Sequence, residues 1–213
     1  MEKIKVRLTF TESILGTAPN NEEIYREYIA SKAPNEATED EEVEALSLNE
    51  QIEKGMTVFP RTEDGRPFVY DYQIKGMFKD ACSMLARLTG KDPETGKKLK
   101  AANESGKLTA YKKIIDGLIF VSPREIPLEF DGEIGVCQRP LRAQTAQGER
   151  VALAMSEEVP KGARITFTVK CLDASHVAAV REWLDYGELR GLGQWRNSGH
   201  GTYTWEEIKD EEA

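Results

Sequence analysis

Residues 175–205 read SHVAAVREWLDYGELRGLGQWRNSGHGTYTW and contain a helix, a loop with four glycines and the beginning of a strand. Ser175 is a favourable helix cap, and the helix gives way to the glycines after Arg190. Glycine adopts positive φ angles without steric cost and, because it lacks a Cβ, lets a ligand approach the backbone. The stretch therefore predicts a helix-to-strand connection that serves either as a structural turn or as a loop that holds an anion.

The rest of the chain predicts a mixed α+β architecture around this connection. Residues 3–12, KIKVRLTFTE, alternate apolar and polar side chains with the period of a half-buried strand, and residues 163–172, ARITFTVKCL, form a second alternating strand. Residues 71–90, DYQIKGMFKDACSMLARLTG, place apolar side chains at helical spacing between a capping Asp71 and a terminating Gly90. The order of elements indicates an α+β sheet built from two similar halves, each with one helix.

Two further regions are interpreted from their turn residues and charges. Residues 55–70 contain Asp64-Gly65, a favoured tight-turn dipeptide, between apolar runs, which predicts a hairpin. Residues 137–150, CQRPLRAQTAQGER, are polar and basic, and we interpret them as a loop after a strand. The arginines of this loop either clamp a phosphate or carry ordinary loop charges that pair with acidic residues of this chain or a neighbour.

The formal net charge of −8 is concentrated in one segment. Residues 21–55 hold eleven acidic and three basic side chains, so this segment alone accounts for the whole excess. Between residues 91 and 113 the bias reverses, with seven lysines against three acidic residues, in either a solvated loop or a place to hold a polyanion. We interpret residues 1–213 as a single domain with an acidic helical insert at 21–55 and a mobile basic loop at 91–110.

Several classes of protein are disfavoured by the composition. No run approaches the eighteen apolar residues of a membrane span, and the N-terminus lacks a signal pattern, so we expect no membrane partner and a cytoplasmic location. Cys82, Cys137 and Cys171 are far apart in apolar neighbourhoods, which predicts reduced, buried thiols. Because no metal-ligand spacing, Walker-type loop or nucleophile elbow occurs, we predict no metal and no cofactor.

Four stretches, taken together, resemble the RAMP superfamily, the RNA-binding repeat-associated proteins of CRISPR effector complexes. The final helix followed by residues 191–205 is similar to the glycine-rich signature near the C-terminus of these proteins. Residues 3–17, KIKVRLTFTESILGT, resemble their first strand and its small-residue turn, and residues 70–82, YDYQIKGMFKDAC, resemble the segment in which a lysine-glycine pair opens the first long helix. Residues 156–172, SEEVPKGARITFTVKCL, resemble their entry into a late strand. The chain also resembles uncharacterised proteins carried by bacterial prophages and integrative elements.

The resemblance implies a ferredoxin-like (RRM-like) antiparallel sheet with helices packed on one face and the glycine loop against the sheet. It implies binding of single-stranded nucleic acid, RNA more than DNA, and assembly of copies side by side into a homo-oligomer. The residues expected to contact nucleic acid are Lys75, Lys79, Arg139, Arg142, Arg190, Gly191, Gly193, Trp195, Arg196, Gly199, His200 and Gly201.

The residue types in the glycine loop suit such a ligand. Glycines admit a phosphate to the amide groups, and Arg190 and Arg196 add charge-assisted hydrogen bonds, while Trp195 or Tyr203 is available to stack on a base. Lys75 and Lys79 lie one turn apart on one helix face, which approaches either the bound strand or solvent. The competing interpretation is that the glycines only permit a tight connection while Trp183, Trp195 and Trp205 fill the core.

No catalytic residue is assigned, and His200 is the one candidate we consider. Its ordinary pKa suits proton transfer near neutral pH, but a histidine without a paired base favours a phosphate or backbone contact over catalysis. We therefore expect a binding protein. The two alternatives are an interaction protein of a mobile element, whose acidic insert lets it dock on or inhibit a host nucleic-acid or defence complex, and a metal-independent ribonuclease that uses His200.

Overall fold

The computed structural model describes residues 1–20, 56–88, 94, 103–145 and 148–208, and for residues 141–153 it describes the backbone alone. The acidic insert predicted at 21–55 and most of the basic loop predicted at 91–110 lie outside the described residues. The strands are β1 (Glu2–Phe10), β2 (Ile14–Leu15), β3 (Ala18–Pro19), β4 (Thr57–Val58), β5 (Phe68–Tyr70), β6 (Ile119–Ser122), β7 (Glu125–Pro127), β8 (Gly135–Thr145), β9 (Gly148–Val159), β10 (Arg164–Cys171) and β11 (Tyr203–Glu207). The helices are α1 (Asp71–Leu85), α2 (Glu104–Lys107), α3 (Tyr111–Leu118) and α4 (Val177–Arg190).

The main sheet has four strands in the order β11-β1-β10-β6, and every neighbouring pair is antiparallel. Helix α1 lies between β1 and β6 in the chain, and α4 connects β10 to β11. The two helices pack against each other, and their buried side chains belong to the same core as those of β1 and β10. The α+β prediction is therefore confirmed, with antiparallel sheets.

The core forms where the apolar face of a strand packs against the apolar face of a helix. Strand β1 buries alternate side chains from Ile4 to Phe10, as its sequence predicts, while α1 buries residues three and four apart, from Ile74 to Cys82. Trp183 of α4 is fully buried and lies 5.5 Å from Phe78, measured between ring centroids. Burial of side chains of this size contributes about 1.5–3 kcal/mol each to the free energy of folding.

Both ends of α1 differ from the prediction. Tyr70, rather than Asp71, is the N-cap, and its amide donates to the Gln73 side-chain oxygen at 3.0 Å. The helix ends at Leu85, five residues before Gly90, because Asn103 donates its side-chain amide to the Leu85 carbonyl at 2.7 Å and Leu88 is exposed to solvent. Asn103 thus satisfies a carbonyl group at the end of the helix, and Gly90 lies outside the described residues.

Helix α4 also begins differently from its prediction. A short 3₁₀ turn, Ala174–His176, precedes it, and the Asp173 carboxylate accepts a hydrogen bond from the Ser175 amide at 2.9 Å. Asp173, rather than Ser175, therefore caps this end. The hydrogen bonds of its carboxylate to Ser175 hold the pKa of Asp173 below its usual value.

The hairpin predicted over residues 55–70 forms only at its tip. Gly65 adopts a φ of 82° in the turn, and one isolated bridge joins Arg61 to Pro67. The Phe68 amide also donates to the Pro60 carbonyl at 3.0 Å, but β4 pairs with β3 and β9 whereas β5 pairs with β7. The predicted hairpin is therefore confirmed around its turn, from residue 60 to residue 68, whereas β4 and β5 do not pair with each other.

The basic segment interpreted as a loop after a strand is instead part of a long hairpin. Strands β8 and β9 pair antiparallel in register from Gly135↔Glu158 to Thr145↔Gly148. The alternation of apolar and polar residues is weak in β8, and Pro140 argues against a central strand. Because β8 pairs with β9 alone among the described strands, Pro140 is accommodated at a sheet edge.

The described cysteines are free thiols. Cys82 and Cys171 are buried, as predicted, and burial raises the pKa of both thiols; Cys137 is only half-buried, which corrects the prediction for that residue. Among the described residues, no helix has the length and apolar character that crossing a bilayer requires.

Candidate nucleic-acid interface

The glycine loop is a folded structure held together by its own backbone. Gly191, Gly193, Gly199 and Gly201 all have φ angles between 74° and 94°, a region that other residues rarely adopt. The Leu192 amide donates to the Gly201 carbonyl at 2.9 Å, and the Gly201 amide donates to the Ser13 carbonyl at 2.8 Å. A Cβ at Gly191 would lie 2.6 Å from the His200 carbonyl oxygen, and one at Gly201 would collide with the Leu192 carbonyl.

Several loop amides are used within the protein. The amides of Gly191, Gly199 and Gly201 donate to the carbonyls of Gly187, Arg196 and Ser13, respectively. Positive φ angles explain why glycine occupies these three positions, and at Gly191 and Gly201 the close approach of another backbone segment is a second reason. Side chains of the loop, rather than these three amides, are therefore the groups that face a ligand.

Three flat side chains stack at the surface of the loop. The Trp195 and His200 rings lie 4.9 Å apart between centroids at an angle of 16°, and the Arg139 guanidinium carbon lies 5.0 Å from the Trp195 ring centroid. Trp195 is 39% exposed and has a φ of 54°, which is unusual for a bulky residue. An aromatic surface held partly open to solvent beside a guanidinium suits stacking with a nucleic-acid base.

A polar network connects this stack to strands β4, β8 and β9. The Gln194 side chain accepts from Arg139 at 2.9 Å and donates to Thr57 at 2.7 Å and to Ser156 at 2.9 Å. Arg139 is only 8% exposed, and its Nε and Nη1 have no hydrogen-bond partner among the residues that the structure describes. The stacked Trp195 ring offsets part of the cost of burying this charge.

A second cluster links the loop to α1. The Asp80 carboxylate accepts from Arg190 Nε at 3.1 Å and from Arg196 Nη1 at 2.9 Å, and Arg190 also donates to the Asn197 side chain at 2.6 Å. Because one carboxylate serves two guanidiniums, the cluster keeps one net positive charge. Arg190 and Arg196 side chains remain 32% and 26% exposed, so both are accessible to an anion.

The loop and α1 enclose a groove, which we call the loop groove. One part is a depression of about 290 Å³ lined by Thr17, Gln73, Gly76, Met77, Leu192, Gly193 and Arg196. It continues into a second depression of about 250 Å³ lined by Arg190, Gly193, Gln194, Trp195, Arg196 and Asn197. Gly193 and Arg196 are common to both parts. A Cβ placed on Gly76 would meet no atom within 4 Å, so this glycine leaves space in the groove rather than admitting a neighbouring element.

The structure brings some predicted residues together and separates others. Arg139, Arg190, Trp195, Arg196 and His200 meet around the four loop glycines. Lys75 and Lys79 instead contact Asp116, through its carbonyl oxygen at 3.3 Å and its carboxylate at 2.6 Å, and they do not line the loop groove. The Arg142 side chain is outside the part of the chain whose side chains are described.

Tyr203 is not available to stack on a base, which corrects the prediction for this residue. It is 1% exposed, and its hydroxyl donates to the Leu184 carbonyl at 3.2 Å against Gly187 of α4. Burial raises the pKa of its phenol far above the usual value.

The three tryptophans have three different environments. Trp183 is buried as predicted, Trp205 is half-buried and donates to the Asp185 carboxylate at 2.9 Å, and Trp195 is exposed. The competing interpretation, in which all three fill the core, is wrong for Trp195, which the loop holds at the surface.

Sequence reasoning missed Gly76, Asp80 and Gln194 as parts of this site. Gln194 directly precedes Trp195 in the loop, and its side-chain amide could have been recognised from the sequence as a hydrogen-bonding group of the site. Asp80 is separated from Arg190 by 110 residues and from Arg196 by 116, so no local pattern connects them.

His200 is held by hydrogen bonds as well as by stacking. Its Nδ1 lies 3.0 Å from the Ser13 hydroxyl, which donates to the Glu158 carboxylate at 2.5 Å. These contacts fix the orientation of the ring against Trp195. Catalysis by His200 stays an alternative to the predicted binding role.

Comparison with known proteins adds a likeness of fold. No protein-family model matches the chain, and no curated protein matches it. A chain of the type III-B Cmr-beta complex bound to cognate target RNA, solved by cryo-EM, superposes with a TM-score of 0.50 at 11% identity, covering 97% of this chain and 58% of that one. A chain of a type IV-B CRISPR complex gives a TM-score of 0.49 at 14% identity, covering 97% and 90%. The present chain thus spans little more than half the length of the Cmr-beta chain whose fold it resembles.

This likeness agrees with the resemblance seen in the sequence. At this level of identity the comparison concerns the fold, and the chemistry of the loop groove rests on the side chains of this chain.

Proposed function

We propose that this protein binds single-stranded nucleic acid, RNA in preference to DNA, in the loop groove. The observation that carries the proposal is the part-exposed ring of Trp195, which contacts His200 and the Arg139 guanidinium at the edge of a groove that Arg190 and Arg196 also line. Proteins that bind single strands combine aromatic stacking with cations that follow the backbone. The same two elements occur side by side here.

In this proposal the two ends of the groove have different tasks. A base stacks against Trp195, while the phosphates on either side contact the guanidiniums of Arg190 and Arg196. Stacking and phosphate contacts carry little information about base identity, so we expect binding that tolerates different sequences.

We also propose that the main sheet is ferredoxin-like. The chain order of β1, α1, β6, β10, α4 and β11, with the strands arranged β11-β1-β10-β6, supports that assignment. We further propose that copies of the protein assemble side by side along a nucleic-acid strand. Protein partners, as well as nucleic acid, belong to the same proposal.

Replacing Gly76 with alanine tests the groove directly. We expect Gly76→Ala to raise the free energy of unfolding by up to about 1 kcal/mol, because alanine is the better helix former and its Cβ meets no neighbour. The same Cβ occupies space in the loop groove, so we expect the dissociation constant for a labelled 20-nucleotide RNA to rise roughly fivefold, or about 1 kcal/mol. Urea unfolding and fluorescence anisotropy measure the two effects.

Gly117→Ala provides the matched control. Gly117 is an exposed glycine of α3, its added Cβ meets no atom within 4 Å, and it does not line the groove. We expect this variant to bind RNA like the wild type. Equal affinity of the Gly76→Ala variant and the wild type would place the ligand outside the loop groove.

A further inference from the structure

His200 belongs to a short chain of hydrogen bonds that begins at a carboxylate. The Ser13 hydroxyl donates to the Glu158 carboxylate at 2.5 Å and lies 3.0 Å from Nδ1 of His200. The Gly201 amide donates to the Ser13 carbonyl at 2.8 Å, so a backbone hydrogen bond directly beside His200 joins the two chain segments. Three segments that are distant in sequence thus meet at the imidazole.

This chain of hydrogen bonds determines which imidazole nitrogen carries the proton. An ionised carboxylate only accepts hydrogen bonds, so the single hydroxyl hydrogen of Ser13 points to Glu158. The Ser13 oxygen then offers only lone pairs to His200, and Nδ1 carries the hydrogen that it donates to this oxygen. In neutral His200 the other nitrogen, Nε2, is therefore a hydrogen-bond acceptor.

The Nε2 atom is open to a ligand. Within the part of the chain that the structure describes, Nε2 has no hydrogen-bond partner, and the buried side-chain atoms that lack a partner belong to Arg139 alone, so Nε2 is in contact with solvent. The His200 ring is half-buried and stacks on Trp195, which lines the loop groove. An oriented acceptor therefore lies beside the ring on which we propose that a base stacks.

The geometry and chemistry of this acceptor select its partner. Phosphate oxygens are themselves acceptors, so they do not hydrogen-bond to Nε2 of a neutral imidazole. The amino groups of bases are donors that lie in the plane of the base. A base stacked on Trp195 is nearly parallel to His200, whose ring makes an angle of 16° with Trp195, so these amino groups do not point at Nε2. The ribose 2′-hydroxyl donates from outside the base plane, and DNA lacks it.

We propose that Nε2 of His200 accepts a hydrogen bond from a ribose 2′-hydroxyl, and that Ser13 and Glu158 are positioning residues that keep this atom an acceptor. The inference rests on the proposed binding of a single strand in the loop groove, and it adds the atom that distinguishes RNA from DNA there. His200 thus contacts the sugar of the bound strand rather than a phosphate.

The test compares a labelled 20-nucleotide RNA with 2′-fluoro RNA of the same sequence, which keeps the RNA sugar pucker but cannot donate from the 2′ position. At about pH 8, where an ordinary imidazole is neutral, we expect the wild type to bind RNA roughly fivefold more tightly, the effect of one hydrogen bond. His200→Phe keeps a flat ring on Trp195 but lacks the acceptor, and Ser13→Ala releases the tautomer. We expect both variants to lose the preference for RNA.

Thr11→Ala is the matched control. It removes a hydroxyl from the same segment as Ser13, but this hydroxyl donates to Thr202 at 3.0 Å rather than contacting His200. We expect this variant to keep the wild-type preference for RNA over 2′-fluoro RNA.

A second measurement needs no ligand. The chain has two histidines, His176 and His200, so nitrogen-15 NMR of the imidazoles, assigned with His200→Phe, reports the tautomer of His200. At about pH 8 we expect the proton on Nδ1 in the wild type and on Nε2 in Ser13→Ala.

The outcomes separate this inference from the proposed function. Equal affinity of the wild type for RNA and 2′-fluoro RNA overturns the inference and leaves binding in the loop groove standing. A His200 that is protonated on Nε2 in the neutral wild type, or a Ser13→Ala variant that loses affinity for both strands in equal proportion, has the same consequence. Binding of neither strand by the wild type overturns the proposed function, and the inference with it.

Discussion

Gly201→Ala is expected to lower the free energy of unfolding by about 3–5 kcal/mol, a large part of the 5–15 kcal/mol that stabilises a typical domain. Two costs combine. The φ of 74° at this position costs a residue with a Cβ about 1–2 kcal/mol. In addition, the Cβ collides with the carbonyl group of Leu192, a residue whose amide donates a hydrogen bond to the Gly201 carbonyl. Because the obstruction is backbone, no side-chain rotation relieves it. Chemical unfolding followed by circular dichroism measures the change.

Gly199→Ala separates the two costs. Gly199 has a φ of 94°, but an added Cβ there meets no atom within 4 Å. We therefore expect this variant to lose only the conformational cost, about 1–2 kcal/mol. Equal destabilisation by the two substitutions would show that the close approach of residues 192 and 201 does not hold the loop together.

Trp195→Ala is expected to weaken binding of single-stranded RNA by roughly 5- to 150-fold, which corresponds to about 1–3 kcal/mol for one stacked base. The ring is the exposed member of the stack with His200 and Arg139, and it contributes little to the core. Folding is expected to persist, because the loop is fixed by its backbone hydrogen bonds and by Gln194. Titration of a fluorescent oligonucleotide gives the affinity, and the melting temperature confirms the fold.

Trp195→Phe is the conservative control for this position. Phenylalanine keeps an aromatic face, so most of the affinity should be retained. If Trp195→Ala bound RNA as tightly as the wild type, stacking at the loop groove would be excluded as a source of affinity.

The sequence predicts most of the central fold because the signals are local. The alternation in β1 and the helical spacing in α1 each reflect one buried face, and both elements form where that pattern predicts them. The glycines of residues 191–201 likewise signal positive φ angles, which all four adopt. Elements with a single strong periodicity are therefore correctly identified.

The errors arise where distant contacts decide the outcome. Strands β4 and β5, on either side of the Asp64-Gly65 turn, do not pair with each other because β4 pairs with β9 and β5 pairs with β7. Strand β8 has polar side chains and Pro140, and it is held by eleven residue pairs with β9 rather than by its own pattern. Tyr203 was available for stacking by residue type, but its ring is buried with its hydroxyl bonded to Leu184.

The candidate site shows the same division. Trp195, Arg196 and the glycines are adjacent in sequence, and the motif selects them together. Asp80, which anchors both Arg190 and Arg196, and Arg139, which stacks on Trp195, come from other elements that only the fold brings near. The motif thus identifies the loop, whereas the charged residues that contact the loop can be identified only from the tertiary structure.

The most direct measurement is fluorescence anisotropy with labelled single-stranded RNA and DNA of 20 nucleotides at 50 and 200 mM salt, using the wild type and Arg196→Ala. Arg190 retains Asp80 as a partner in the variant, so the loop is expected to stay folded. We predict that wild-type affinity for RNA exceeds that for DNA and falls about tenfold between the two salt concentrations, and that loss of Arg196 reduces the salt slope by about 0.7. Absence of binding to either strand at 50 mM salt, or binding that neither salt nor Arg196→Ala alters, would contradict the account.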